Sequence, residues 1–140
     1  MSEGTPRPKV TIHTLYEKVQ RGEKITMLTA YDYPLGLLEE RAGIDIILVG
    51  DSLGMTVLGY ETTLPVTMDE MVNHAAAVRR AAPTAFLVGD MPYMSYQASV
   101  SEAIHNAGRF MAEAGVDGVK LEGGRNMVEA VRGITKAGIP

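Results

Sequence analysis

Four apolar runs alternate with helical patterns along the chain, and each run has the length of a β-strand. They predict strands at residues 25–32, 44–51, 85–90 and 118–123. The second and third runs are apolar at almost every position, which is typical of parallel strands buried on both faces. The alternation therefore predicts an α/β fold built on a parallel sheet.

The segments between these runs are predicted to be helices, because each begins with an N-cap signal or ends with a stop signal. The predicted N-caps are side chains that accept a hydrogen bond from a backbone N–H, at Thr11, Asp32, Thr67 and Ser99. Capping boxes are predicted where a glutamate follows three residues later, at Glu70 and Glu102. The predicted stops are glycines, at Gly22, Gly43, Gly115 and Gly138, the last ending a helix over 126–137. The first helix is predicted to carry one apolar face, formed by Ile12, Leu15, Tyr16 and Val19.

An internal repeat bears on the architecture, because Ala-Gly followed by a β-branched residue recurs at 42–44, 114–116 and 137–139. In the first two copies the dipeptide ends a helix and the β-branched residue opens a strand. The third copy therefore predicts a fifth strand, but the chain stops at Pro140. About four βα units after an N-terminal helix form either half of a (β/α)8 barrel or a small open sheet. The fifth-strand signal favours a single domain over 1–140 that is the N-terminal half of a (β/α)8 barrel, truncated before its fifth strand.

Composition narrows the class of protein. With 46% hydrophobic and 21% charged residues, the sequence is typical of a globular protein without a disordered tail. The net charge of −4 argues against nucleic acid as a partner, and no apolar run approaches the length of about 20 residues that spans a membrane. The first ten residues lack the apolar stretch of a signal peptide, and the absence of cysteine fits a cytoplasmic protein. Any metal must be bound by oxygen or histidine.

Acidic residues follow three of the predicted strands. Val-Gly-Asp ends both the second and the third strand, at Asp51 and Asp90, and Glu122 lies near the end of the fourth. Ligands of parallel α/β proteins bind at the carboxyl ends of the strands. Because neighbouring strands run about 4.8 Å apart, three acids at one level could converge on one cation. Mg²⁺ suits carboxylates with waters and a chelating substrate, and zinc is disfavoured by the lack of cysteine and of a His-x-x-His pattern.

The same residues can also be explained by purely structural roles. An Asp after a strand is often a turn residue or a helix cap. Lys120 and Glu122 point to the same face of a strand, so they form either a buried ion pair or an anion-binding lysine beside a metal carboxylate. The long connection at 52–66 is either a binding loop or a surface excursion. The three histidines, His13, His74 and His105, are interpreted as helix-surface or packing residues.

Several stretches together closely resemble the ketopantoate hydroxymethyltransferase (3-methyl-2-oxobutanoate hydroxymethyltransferase) family. The resemblance runs from about residue 10 to the end, and its most specific part is "VGDSLGM" with "TLPVT". The stretches that carry it are "TAYDYPLG", "ILVGDSLGMTVLGYETTLPVTMDEM", "HAAAVRRAAP", "LVGDMPYMSY" and "VKLEGG". The resemblance implies a phosphoenolpyruvate/pyruvate-type (β/α)8 barrel of about twice this length, assembled into homo-oligomers. It implies transfer of a hydroxymethyl group from 5,10-methylenetetrahydrofolate, a reduced folate, to the α-keto acid 3-methyl-2-oxobutanoate.

The resemblance also implies roles for individual residues. Asp51 and Asp90 would ligate Mg²⁺, Glu122 would join the metal shell directly or through water, and Ser52 and Lys120 would help bind the keto acid with those aspartates. The metal would act as a Lewis acid that stabilises the enolate formed when a proton leaves C3. The family's general base, a glutamate on a later strand, has no counterpart here, and Glu122 is a poor substitute because a metal-shell carboxylate is a weak base.

Three functional interpretations remain open from the sequence. The first is the N-terminal half of a hydroxymethyltransferase. The second is a non-catalytic half barrel that binds metal or associates with another half. The third is a Mg²⁺-dependent α-keto-acid lyase of the same barrel superfamily, against which the "GDSLGM…TLPVT" stretch argues.

Overall fold

A four-stranded parallel sheet organises the computed structural model, which describes residues 7–140. The signal-peptide prediction concerns residues 1–10, of which 1–6 lie outside the described residues. The strands lie side by side in chain order and are β1 (Met27–Thr29), β2 (Ile46–Val49), β3 (Phe86–Asp90) and β4 (Gly118–Lys120). All four predicted strands are confirmed, and each is shorter than predicted because backbone pairing covers only part of the predicted segment.

Helices fill the segments between the strands. They are α1 (Ile12–Gln20), α2 (Tyr33–Ala42), α3 (Leu53–Thr56), α4 (Met68–Ala81), α5 (Val100–Arg109) and α6 (Val128–Lys136). A π-helical turn, Phe110–Ala114, continues α5, and a 3-10 turn, Gly124–Met127, precedes α6. The four predicted N-caps are confirmed, and the box of Thr67 with Glu70 forms in full. At Ser99 the bond from the Glu102 N–H is the half of the predicted box that forms.

The two faces of the sheet have different partners. Ile47, Val49 and Leu87 are fully buried, whereas Leu48 and Val88 between them are half-buried. A Cβ at Gly89 would lie 2.6 Å from the Phe110 ring, so the face that carries position 89 packs against the helices. Since successive strand residues point to opposite faces, Val88 and Asp90 point away from the helix layer.

The end of the chain lies beside β4. The Val119 N–H donates to the Pro140 carbonyl at 2.9 Å, and Ile139 is buried. The third Ala-Gly copy therefore leads the chain to the sheet edge where a fifth strand would pair. Strand order without a reversal, with α2 against α4 and α5 against α6, favours the barrel arrangement over a doubly wound open sheet.

The predicted apolar face of α1 forms, but it is not packed inside the described part of the chain. Tyr16 and Val19 are 66% and 62% exposed. Ionic contacts hold this helix instead, because Lys18 Nζ lies 2.8 and 2.7 Å from the two carboxylate oxygens of Asp45. Among residues 7–140, none of the helices combines the length and apolar character that a membrane crossing requires.

An aspartate directly follows each of the first two copies of the repeat, at Asp45 and Asp117, and its carboxylate connects the N-terminal segment to the sheet. Asp45 accepts from Lys18 and from the Thr26 N–H, the latter at 2.9 Å. Asp117 accepts from Lys9 at 2.5 Å and from the Leu87 N–H at 2.8 Å. Each carboxylate therefore satisfies a backbone donor beside a neighbouring strand and a lysine of the N-terminal segment.

Replacing Asp45 by asparagine is expected to lower the free energy of unfolding by about 1–3 kcal/mol, because Lys18 loses a buried charged partner. Burial raises the pKa of the Asp45 carboxyl, but hydrogen bonds from Lys18 and Thr26 outweigh burial and hold the pKa below its ordinary value. The stabilisation by the ionised Asp45 carboxylate is therefore fully present above the pKa of the carboxyl in the unfolded chain, about 3.9. It is lost as the pH falls through the lower pKa of the folded state. Urea unfolding between pH 3 and 7 measures it.

The matched control is Asp69→Asn, whose side chain is 84% exposed in its pair with Arg109. An exposed ion pair contributes about 1 kcal/mol at most. Equal losses of stability in the two variants would contradict the structural role of Asp45.

Candidate active site at the carboxyl ends of the strands

Asp90 and Lys120 form the centre of the candidate site. They are register partners on β3 and β4, and they point to the face of the sheet opposite the helices. Lys120 Nζ donates to both Asp90 carboxylate oxygens, at 2.9 and 3.0 Å. The Asp90 side chain is only 5% exposed, so the ammonium supplies the counter-charge that a buried carboxylate requires.

Asp51 lies against Asp90, but one residue further along the sheet. Val49 pairs with Gly89, so Gly50 is level with Asp90 and the two Val-Gly-Asp motifs are offset by one residue. The prediction that the three acids end at one level is therefore wrong, because strand register depends on side-chain packing between strands and not on matching motifs. The turn after β2 brings Asp51 back, and its N–H donates to Asp90 Oδ2 at 3.2 Å.

The pKa of Asp51 is affected by burial and by the negative charge of Asp90 beside it. Burial, and then the nearby charge of Asp90, raise the pKa of the Asp51 carboxyl above its ordinary value. Gly50 makes room for this arrangement, since a Cβ there would lie 3.0 Å from Ser52 Oγ and 3.9 Å from Asp90 Oδ2. Two carboxylates thus share one partly buried space.

Glu122 lies at the rim of the site. Its side chain is 75% exposed, and Oε1 accepts from Lys120 Nζ at 3.0 Å. Burial lowers the pKa of Lys120, but hydrogen bonds to Asp90 and Glu122 outweigh burial and raise it, so the ammonium remains charged. The ion pair that the sequence suggested therefore exists, and its more buried half is Asp90 rather than Glu122.

The donor set fits a magnesium ion bound by two carboxylates. In the part of the chain that the structure describes, no three His, Cys, Asp or Glu side chains are close enough to hold a metal together. Mg²⁺ commonly takes one or two carboxylates and completes its shell with waters and substrate. Asp51 and Asp90 supply such oxygens, and a divalent cation would relieve the repulsion that raises the Asp51 pKa. A role for Glu122 in the metal shell stays a prediction.

A cavity of about 430 Å³ opens beside these acids. Its walls come from the loops that follow the strands. The lining residues are Asp51, Thr63, Leu64, Asp90, Met91, Tyr93, Tyr96, Gln97, Glu122, Gly123, Asn126 and Met127. Three predicted site residues, Asp51, Asp90 and Glu122, therefore line one cavity.

The connection 52–66 forms part of the cavity wall. It contains the short helix α3, which the sequence did not predict, and Thr63 and Leu64 reach the cavity. Tyr60 anchors the connection by donating its hydroxyl hydrogen to Glu70 Oε1 at 2.7 Å. Between the two interpretations from the sequence, this position favours the binding loop.

Ser52 belongs to a hydrogen-bonded chain that the sequence did not predict. The Tyr31 hydroxyl and Ser52 Oγ are 2.9 Å apart, and the His74 ring donates from Nδ1 to the Tyr31 carbonyl at 2.5 Å. His74 is half-buried on α4, while His13 and His105 are exposed on α1 and α5. Tyr31 could have been found from sequence, because it follows β1 just as the acids follow their strands.

Tyr96 is a second residue that the sequence analysis missed. Its ring is buried, and its hydroxyl accepts from the Glu122 N–H at 3.1 Å. This bond ties the loop after β3 to the loop after β4. The quoted stretch "LVGDMPYMSY" contains the residue, but no spacing rule distinguishes a tyrosine that braces a loop from one that packs.

Comparison with known proteins identifies relatives of the whole described chain. A family model described as ketopantoate hydroxymethyltransferase matches residues 9–140. A 3-methyl-2-oxobutanoate hydroxymethyltransferase of Moorella thermoacetica is 60% identical over 134 residues, covering 96% of this chain and 50% of that protein. One of Syntrophus aciditrophicus is 54% identical over 140 residues, covering 100% of this chain and 52% of that protein. The chain spans about half the length of the curated relatives it matches.

Solved structures with low sequence identity share the fold. A phosphoenolpyruvate phosphomutase from Streptomyces platensis subsp. rosaceus superposes with a TM-score of 0.71 at 18% identity, over 91% of this chain and 49% of that one. A phosphonopyruvate hydrolase in complex with oxalate and Mg²⁺ gives 0.70 at 14% identity, over 88% and 46%. A 2,3-dimethylmalate lyase of the phosphoenolpyruvate mutase/isocitrate lyase superfamily gives 0.67 at 14% identity, over 91% and 49%. The predicted barrel class, with about half of the barrel present, is confirmed.

Proposed function

Because the chain belongs to the ketopantoate hydroxymethyltransferase family, we propose that it carries the metal and keto-acid half of a hydroxymethyltransferase site. The reaction transfers a one-carbon unit from 5,10-methylenetetrahydrofolate to 3-methyl-2-oxobutanoate and yields 2-dehydropantoate. The observation that carries the proposal is the ion pair of the buried Asp90 with Lys120, with Asp51 beside it, at the carboxyl ends of the strands, where Asp51 and Asp90 line the cavity. The family match favours this transferase over the lyase alternative.

Asp51 and Asp90 would hold Mg²⁺ in this site, with Glu122 in the metal shell directly or through water. The metal, when bound, polarises the keto group and so makes the proton on C3 more acidic. Lys120 would bind the substrate carboxylate, because its charged ammonium lies beside Asp90 and its side chain is 37% exposed. Ser52 presents a hydroxyl that Tyr31 orients, and it would hydrogen-bond an oxygen of the same substrate.

The overall transfer balances with one water molecule. A proton leaves C3 of the keto acid, a carbon–carbon bond forms from C3 to the methylene carbon, and the carbon–nitrogen bonds to the folate break. The donor methylene lies between two nitrogens and carries no oxygen, so water supplies the hydroxyl of the product. In this proposal the residues described here bind and orient the acceptor, and the C3 proton is removed by a glutamate of the kind that the family resemblance implies on a later strand.

Lys120→Met is expected to weaken binding of 3-methyl-2-oxobutanoate about tenfold or more in the presence of Mg²⁺. The reason is the lost hydrogen bond between charged groups, which contributes about 1.5–3 kcal/mol. Isothermal titration calorimetry measures the affinity, and circular dichroism reports whether the chain remains folded. The control is Lys136→Met, an exposed lysine at the end of α6.

The result that would reject this role for Lys120 is loss of the fold with no separable change in affinity. That outcome would mean that the lysine only neutralises Asp90. Absence of Mg²⁺-dependent keto-acid binding in the unsubstituted chain would reject the proposed function itself.

A further inference from the structure

A series of hydrogen bonds runs from helix α4 to Ser52 and ends beside Asp90. The His74 ring donates from Nδ1 to the Tyr31 carbonyl at 2.5 Å, and the Tyr31 hydroxyl oxygen lies 2.9 Å from Ser52 Oγ. A Cβ at Gly50 would lie 3.0 Å from Ser52 Oγ and 3.9 Å from Asp90 Oδ2. The serine hydroxyl and the buried carboxylate therefore border the same small space.

The backbone that carries Tyr31 is fixed on both sides. The Ala30 N–H donates to a carbonyl of β2 at 3.1 Å, and the Asp32 side chain caps helix α2. Between these two residues the Tyr31 carbonyl lies in the turn from β1 to α2, and His74 supplies its hydrogen-bond donor from a neighbouring helix. His74 therefore helps to fix the backbone from which the Tyr31 ring projects.

The backbone of Ser52 is also fixed, by the turn that follows β2. The N–H groups of Met55 and Thr56 both donate to the Ser52 carbonyl at 3.0 Å. The Thr56 hydroxyl donates to the same carbonyl at 3.0 Å. With the backbone held, the direction of the hydroxyl hydrogen is the property of Ser52 that Tyr31 can set.

The chemistry of the ligand determines which hydroxyl donates in the bond between Tyr31 and Ser52. A hydroxyl has one hydrogen to donate and two lone pairs that accept. The carboxylate and keto oxygens of 3-methyl-2-oxobutanoate only accept, so Ser52 must donate in order to bind either of them. If Ser52 gave its hydrogen to Tyr31, its lone pairs would face the ligand oxygens and repel them. Tyr31 must therefore be the donor to Ser52.

We propose that Tyr31 and His74 are positioning residues for the keto acid and that both act through Ser52. Tyr31 donates its phenolic hydrogen to Ser52 Oγ and so directs the Ser52 hydrogen toward the ligand, while His74 holds Tyr31 in place. This inference rests on the proposed function, in which Ser52 hydrogen-bonds an oxygen of the keto acid.

A double-mutant cycle on Tyr31 and Ser52 tests the inference, by calorimetric titration of 3-methyl-2-oxobutanoate into the 140-residue chain with Mg²⁺. Tyr31→Phe removes only the hydroxyl and is expected to weaken binding about threefold to tenfold, as a lost hydrogen bond does. Ser52→Ala should weaken binding at least as much. Adding Tyr31→Phe to Ser52→Ala should then change the affinity less than about twofold. Tyr16→Phe, on an exposed tyrosine of α1, is the matched control and should leave the affinity unchanged.

Two replacements test His74. His74→Leu removes the donor to the Tyr31 carbonyl and is expected to weaken keto-acid binding about threefold, whereas His74→Asn places an amide N–H at a similar reach and should keep the affinity within about twofold of the unsubstituted chain. The loss in His74→Leu should disappear in the Ser52→Ala background, which a general loss of stability would not do. Circular dichroism reports the fold, and His105→Leu, on an exposed histidine of α5, is the control.

The sign of the Tyr31→Phe effect reports the direction of the bond. Unchanged or tighter binding would mean that Ser52 donates to Tyr31, and losses that add independently would mean that Tyr31 does not act through Ser52. Either result overturns the inference and leaves the proposed function intact, and full affinity in His74→Leu overturns the role of His74. Absence of Mg²⁺-dependent keto-acid binding in the unsubstituted chain overturns both the inference and the proposed function.

Discussion

Asp90→Asn is expected to weaken Mg²⁺-dependent binding of 3-methyl-2-oxobutanoate by about 100-fold or more, comparable with the largest losses seen when groups around a metal are changed. The substitution removes a carboxylate that would bind the metal and also the main partner of Lys120. Asp51→Asn is expected to cause a loss of the same order, because Asp51 is the neighbouring carboxylate in the same partly buried space. Calorimetric titration of the keto acid, with and without Mg²⁺, measures both effects.

The matched control is Asp69→Asn, which removes an exposed carboxylate on α4. It should leave keto-acid affinity unchanged. The two site variants should also lose the difference between titrations with and without Mg²⁺, since the metal would no longer be held. If both variants keep that difference, Asp51 and Asp90 are turn and packing residues, as the structural interpretation of the sequence proposed.

Folate-dependent formation of 2-dehydropantoate is expected to be undetectable with the 140-residue chain alone. The resemblance implies a glutamate base on a strand after residue 140, and positioned acid–base groups contribute about 10²–10⁴-fold to proton transfer. Two features of residues 7–140 favour self-association: β1 is an edge strand of the described sheet, and apolar side chains of α1 are exposed. We expect self-association rather than a clean monomer, measured by light scattering after size exclusion.

A hybrid protein tests whether adding a C-terminal half to these 140 residues gives activity. It joins this chain to the C-terminal half of the Moorella thermoacetica relative, to which the chain is 60% identical. The hybrid should form product, and the hybrid with Asp90→Asn should not. Robust turnover by the 140-residue chain alone would contradict the expectation and would make Glu122 or a second copy the source of the base.

Local features of the fold were predictable from sequence because their determinants are close in the chain. The Thr67–Glu70 box is complete within four residues, and Gly43 and Gly115 end their helices with a left-handed backbone. The short helix α3 and the π-helical turn after α5 were not predictable. Both depend on packing against distant residues, as where the Phe110 ring occupies the space above Gly89.

The members of the site were predictable, but their mutual geometry was not. Asp51 and Asp90 stand out because each ends an apolar run, and Lys120 stands out because it lies two residues before Glu122. The pairing of Asp90 with Lys120 depends on the register between β3 and β4, which side-chain packing sets. Sequence spacing pointed to Glu122 as the lysine's partner, whereas the strand register places the buried Asp90 opposite it. Tyr96 was missed because its bond from the Glu122 N–H depends on the conformation of two loops.

Electron paramagnetic resonance of Mn²⁺, used in place of Mg²⁺, tests most directly whether Asp51 and Asp90 bind a metal that chelates the keto acid. Oxygen-17 in the keto and carboxylate groups of 3-methyl-2-oxobutanoate broadens the Mn²⁺ signal only when those oxygens are bound to the metal. We predict broadening with the unsubstituted chain and none with Asp51→Asn or Asp90→Asn. A signal that stays unbroadened, or broadening that survives both substitutions, would contradict the assignment of the site.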